Sequence, residues 1–237
     1  MDPGGLALGA ALVAYNNGLN LWHRFHGALY VPLNLAAAAL LLGLGARVWG
    51  LGADQLGLAG DQAAGLGAGV LLGAVAASPL FLALRHRRGA ELVADERIAG
   101  ATARQVAYRA LVRVPLGTAA LEELAFRGVL FAVLAPSGPV AAAVWSGAAF
   151  GLWHIAPAYN QLHENGIAGD RPIRYVVWLI GLTVLATSAA GVLLVWLRIA
   201  GGGLAAPFAL HATLNSLSTV AAFLAHRRTV SFESGAG

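Results

Sequence analysis

Two residue types are missing altogether from this 237-residue chain: it has no Cys, and although it carries fifteen basic residues, every one is Arg and none is Lys. Without Cys there is no disulfide framework, no thiolate nucleophile and no Cys-ligated zinc, so any metal must be held by His and carboxylates. Charge is scarce too. Asp, Glu, Lys and Arg make up 11% of the residues and hydrophobic residues 58%, against about 25% charged in an average soluble domain. A water-soluble globule would lack polar surface at this composition, and a bilayer is the better solvent. The formal charge of +4 does not point to nucleic acid, because the Arg residues sit between apolar runs instead of gathering on one face.

Five runs can cross ~30 Å of hydrocarbon without a formal charge: Gly27 to Ala46, Leu66 to Leu84, Val140 to Ala158, Tyr175 to Leu197 and Leu204 to Ala225. A sixth, Leu116 to Ala135, has the length and apolarity but contains Glu122, Glu123 and Arg127. The stretch Gly5 to Leu21 turns polar at Asn16, Asn17 and Asn20, which favours an interfacial segment. It makes a poor signal peptide, since Asp2 stands where a basic residue is expected. Arg109 and Arg113, four apart, suggest a helix on the membrane surface between Ile98 and Val114, broken by Pro115 and Gly117. The stretch Pro157 to Pro172, with His163, Glu164 and Asp170, reads as a solvated connection.

The fold expected is therefore an all-α polytopic transmembrane helical bundle of six to seven spans. Residues 1–26 form an N-terminal interfacial or weakly spanning segment, and residues 27–237 a membrane-embedded domain. With six spans, Arg24, Arg85, Arg87, Arg88, Arg97, Arg104, Arg109, Arg113, Arg171, Arg174, Arg227 and Arg228 fall on one side and only Arg47 and Arg198 on the other. The positive-inside rule then makes both termini cytoplasmic; a seventh span at Gly5 to Leu21 moves the N-terminus outside and leaves the rest in place. The multi-pass arrangement places the chain in a cell membrane, inner or plasma.

Three motifs carry chemistry. In Glu122-Glu123-Leu124-Ala125-Phe126-Arg127-Gly128, each ionised group costs roughly 2.5 to 3.5 kcal/mol at a helix centre, so three in one span need compensation. Glu123 and Arg127, at i and i+4, can neutralise each other. Glu122 points about 100° away and is left without that partner, the condition of a general base. The second motif is Phe150-Gly151-Leu152-Trp153-His154, and the third is His211-Ala212-Thr213-Leu214-Asn215, whose ends share a helical face. Polar residues so placed also glue helices together. The Arg-derived topology, which uses none of these residues, nevertheless puts all three motifs at compatible depths.

In these residues the chain resembles the CAAX proteases and bacteriocin-processing enzymes, the CPBP or Abi family, which includes the type II CAAX prenyl endopeptidases. Members carry E-E-x-x-x-R, F-x-x-x-H and H-x-x-x-N or H-x-x-x-D in this order on successive membrane helices. All three are present here, at Glu122 to Arg127, Phe150 to His154 and His211 to Asn215. The resemblance covers about residues 116–225 and marks that stretch as the protease-like core. It implies an intramembrane endopeptidase acting on a membrane-associated or lipidated peptide or protein through water activated at Glu122 with His154. His211 and Asn215 would stabilise the oxyanion, and Glu123 held by Arg127 would support them. A metal-dependent route makes Glu122, His154 and His211 ligands of Zn2+; the spacing fits the metal-free route equally.

Other intramembrane proteases are disfavoured by absences. His163-Glu164 has Ile167 where H-E-x-x-H needs its second His, Ser146 lacks the G-x-S-G context, and neither Gly60-Asp61 nor Gly169-Asp170 completes G-x-G-D. A non-catalytic scaffold or immunity protein using the same pocket for binding is the alternative. A transporter would be expected to show repeat symmetry, and none is visible.

Overall fold

The structure, a computed structural model, describes residues 2–21, 27 and 29–234, apart from the side chains of residues 230–234. Arg24, part of the topology count, lies outside the described residues. Among them there is no strand, and the chain is a helical bundle. The helices are α1 (Pro3–Leu21), α2 (Tyr30–Trp49), the single turn α3 (Ala53–Leu56), α4 (Ala63–Ala83), α5 (Arg87–Val93), α6 (residues 103–134), α7 (Pro139–Trp153), α8 (Ile155–Glu164), the short α9 (Ile167–Asp170), α10 (Ile173–Ala200) and α11 (Ala205–Ser234). Five helical stretches are long and apolar enough to cross a membrane, and they coincide with the five charge-free runs.

The sixth expected span is the inner part of α6. This helix starts as α-helix at Ala103–Tyr108, widens into π-helical turns at Arg109–Ala119 and again at Glu123–Leu130, and ends at Phe131–Leu134. The expected surface helix is thus the beginning of the same rod, and Pro115 and Gly117 do not break it. Pro115 has no N–H to donate, and in the i→i+5 register the carbonyl left over is that of Ala110. The Ser216 hydroxyl of α11 donates to that carbonyl at 2.6 Å, so the helix continues with its backbone satisfied.

The stretch Gly5 to Leu21 is helix α1, which lies against α7 and the end of α6, with Gly5 against Leu134, Gly9 against Leu130 and Ala149, and Asn16 against Trp153. Its Gly5, Leu8, Gly9 and Leu12 are buried, which accounts for the apolar half of the segment. The connection Pro157 to Pro172 is mostly helical, as α8 and α9.

Small residues set the tightest crossings. At Gly73 of α4 an added Cβ would meet the Leu210 carbonyl of α11 at 2.7 Å, and at Gly69 the Ala206 carbonyl at 2.3 Å. At Gly191 of α10 it would meet the Gly147 Cα of α7 at 2.8 Å. Lipid tails are as apolar as Leu, so close backbone approach and van der Waals contact, more than hydrophobic exclusion, hold such pairs together. The α4–α11 crossing fixes the depth at which α11 presents its polar residues.

Candidate active site

Glu122 and Glu123 stand where α6 passes from α-helical to π-helical turns, buried between α7 and α11. Glu123 is 1% exposed and Arg127 fully enclosed, and the Arg127 Nη1 donates to Glu123 Oε1 at 3.1 Å. The guanidinium also lies over the Phe150 ring, 4.0 Å from its centroid, where the aromatic face compensates part of the lost hydration. Its Nε and Nη2 find no acceptor within the protein. This is the i, i+4 pair expected from the sequence.

Glu122, without Arg127 as its partner, has other neighbours. The Trp153 indole donates to Glu122 Oε1 at 3.2 Å. His211 of α11 enters between the two carboxylates: its Nδ1 is 2.7 Å from Glu123 Oε1 and its Nε2 3.7 Å from Glu122 Oε2. Adjacent helical residues diverge, but an imidazole carries nitrogens on two edges, so a single ring reaches both. A carboxylate only accepts, so the His211 Nδ1 is the donor. Glu122 Oε2 accepts no hydrogen bond from the described residues, and it faces the His211 imidazole without being engaged by it.

His154 stands apart from this contact. It occupies the break between α7 and α8, with φ −91 and ψ 5, the sparsely allowed bridge region where active-site residues recur. Its Nδ1 donates to the Phe150 carbonyl at 2.7 Å, so Nε2 is the ring nitrogen left for another partner. Phe150 links the two imidazoles: its ring centroid is 4.7 Å from that of His154 and 6.1 Å from that of His211, edge-on in both cases. Asn215, one turn beyond His211, is half-buried, and its amide makes no hydrogen bond with another described residue. Among the described residues no three His, Asp or Glu side chains converge as a group that could hold a metal ion.

The break at His154 is built, and the sequence reading missed its builders. Pro157 lacks the N–H that would reach the Trp153 carbonyl, and Asn16 of α1 donates to that carbonyl at 2.8 Å. Asn17 inserts its amide one pair further on, donating to the Leu152 carbonyl at 2.9 Å and accepting from the Ala156 N–H at 2.7 Å. Asn160 returns the contact to the Asn20 carbonyl at 2.9 Å. These asparagines are thus the brackets of a kink. Only the pairing of Pro157 with a polar stripe elsewhere could have hinted at this.

Comparison with known proteins gives one match. Neither curated proteins nor solved structures match the chain. Residues 104–217, which include α6, α7, α10 and the motif-bearing part of α11, match the family model described as Type II CAAX prenyl endopeptidase Rce1-like. That stretch contains Glu122, Glu123, Arg127, His154, His211 and Asn215, so over it this multi-pass helical chain is similar to the Rce1-like type II CAAX prenyl endopeptidases.

Proposed function

We propose that this chain is an intramembrane endopeptidase that hydrolyses a peptide bond in a membrane-associated peptide or protein, lipidated substrates included. The observation that carries the proposal is the buried Glu122–His211–Glu123 contact, with one Glu122 oxygen held by Trp153 and the other without a hydrogen bond from the described residues. In this reading Glu122 is the general base. Trp153 orients its carboxylate, and Oε2 takes the proton of a water that attacks the substrate carbonyl. His154 Nε2, the ring nitrogen left for another partner, is the second group at that water.

His211 and the Asn215 amide, on one face of α11, donate to the oxyanion as the tetrahedral intermediate forms. His211 serves in its doubly protonated form, in which Nδ1 donates to Glu123 and Nε2 carries the second proton, and Glu123 in turn is held by Arg127. Collapse of the intermediate expels the amine, which recovers the proton from Glu122. No step here passes through a metal. With α1 spanning alongside α7, the chain crosses a cell membrane seven times. Its N-terminus is then outside, and the Arg-rich end of the bundle faces the cytoplasm.

The test is cleavage of a membrane-anchored peptide library by the protein purified in detergent, with Glu122→Gln beside the wild type. Loss of about 10²–10⁴-fold in rate with an unchanged melting temperature is expected for removal of a general base. A variant that cleaves at the wild-type rate refutes the assignment. A wild type that cleaves nothing, while Glu122→Gln rescues a deletion strain, favours a scaffold.

A further inference from the structure

The first turns of α6 line a cavity of about 640 Å³ on the Arg-rich end of the bundle, away from the buried carboxylates. Its wall holds three guanidiniums, Arg104, Arg109 and Arg113, with the polar side chains of Thr102, Gln105 and Tyr108. Gln105, Arg109 and Arg113 recur at four-residue steps, and Arg104 and Tyr108 form the adjoining row, so both rows face one opening.

None of the three cations forms an ion pair with a carboxylate among the described residues. Arg109 donates to the Arg97 carbonyl at 2.7 Å, and Arg113 lies over the Tyr30 ring at 4.3 Å, so two of the three are held in place by neutral groups. Asp95 and Glu164, the acids nearest Arg109, are engaged by Arg97. Three cations around an open space attract an anion. The surroundings say where that anion comes from. Leu116 is exposed further along the same helix on the side of Arg109, while Tyr108 is exposed at the cavity itself. Cations above, an amphipathic ring at the rim and a bare leucine below reproduce the profile of a lipid monolayer.

We infer that this cavity binds the phosphate of an anionic phospholipid headgroup, with the acyl chains lying along the side of α6 that exposes Leu116. The second basic cavity, about 340 Å³ between Phe81, Leu84, Leu224 and Arg85, Arg227 and Arg228, is smaller and largely apolar. There Arg228 is already committed to the Leu84 carbonyl at 3.0 Å.

Native mass spectrometry of the delipidated full chain, titrated with phosphatidylglycerol or phosphatidylcholine, tests the inference. The variants are Arg104→Gln/Arg113→Gln, the single Arg104→Gln at an exposed position, and Arg171→Gln/Arg174→Gln as a charge-matched control at the start of α10. Wild type and control should retain phosphatidylglycerol, and the double variant should bind it about tenfold or more weakly, as expected for two juxtamembrane Arg residues. Arg104→Gln should fall between, which keeps the test decisive if the double variant does not fold. Displacement of the lipid by millimolar inorganic phosphate would support the phosphate chemistry with a soluble source. Equal affinity for phosphatidylcholine, or the same loss in the control as in the cavity variants, overturns the inference.

Discussion

The indole of Trp153 donates to Glu122 Oε1 at 3.2 Å across 31 residues of chain, and this contact decides which oxygen of that carboxylate remains available. Trp153 is itself fixed, edge-on to Phe126 at 5.2 Å between ring centroids and tilted against Tyr15 at 6.3 Å. Trp153→Phe keeps an aromatic ring there and removes only the donor. The expected result is about a tenfold fall in cleavage rate, since the carboxylate loses the donor that orients it. An unchanged rate would make Trp153 a packing residue.

Arg127 has no water to turn to, and Glu123 has only Arg127 and His211. Arg127→Met strands a buried carboxylate and should lower stability by about 3–5 kcal/mol. Glu123→Gln/Arg127→Met removes both charges and should recover a large part of that loss. Thermal unfolding in detergent reads both. A double variant less stable than Arg127→Met would show that the pair is not the source of the cost.

Asn17 satisfies two backbone groups at once, the Leu152 carbonyl and the Ala156 N–H. Asn17→Leu leaves both unpaired, at about 1–3 kcal/mol for each group that water does not reach. The kink carrying His154 should then loosen, seen as faster amide exchange over residues 152–158 relative to α10. Asn17→Gln should not restore it, because the longer side chain shifts the amide along the break.

Asp95 lies outside the spans, and burial pushes its carboxyl up. The hydrogen bonds and charge of Arg97, the Arg97 N–H and the Asn165 amide more than offset this and bring it below the ordinary value. A carboxyl lowered in the folded state contributes stability above its unfolded value and loses it as pH falls through the folded one. The advantage of wild type over Asp95→Asn in melting temperature should therefore be full at neutral pH and vanish in acid, below the usual carboxylate range. A difference that grows in acid would contradict it. His226, which donates to the Asp95 carbonyl at 2.8 Å, ties the same turn to α11 and should keep both variants folded.

Spans were legible because hydrocarbon imposes a length and an apolarity that any stretch of twenty residues either meets or fails. The five charge-free runs reappear as α2, α4, α7 with α8, α10 and α11. The Glu123–Arg127 pair was legible for a similar reason, since i and i+4 meet on a helix whatever surrounds it. Pro115 misled because a proline breaks a helix only when nothing else satisfies the carbonyl it deserts, and here Ser216, 101 residues away, does. The role of Asn16, Asn17 and Asn20 was not legible, because polarity at a helix end does not say which kinked neighbour supplies its unpaired backbone.

Local sequence thus determined what each segment is, because solvent preference and helical periodicity act within one rod. Only the tertiary structure decided who meets whom: that His211 stands between two carboxylates, that Trp153 claims one oxygen of Glu122, and that α1 belongs beside α7. Those contacts depend on how closely two helices approach, which Gly69, Gly73, Gly147 and Gly191 set through backbone-to-backbone distance, a quantity that periodicity along a single chain does not contain.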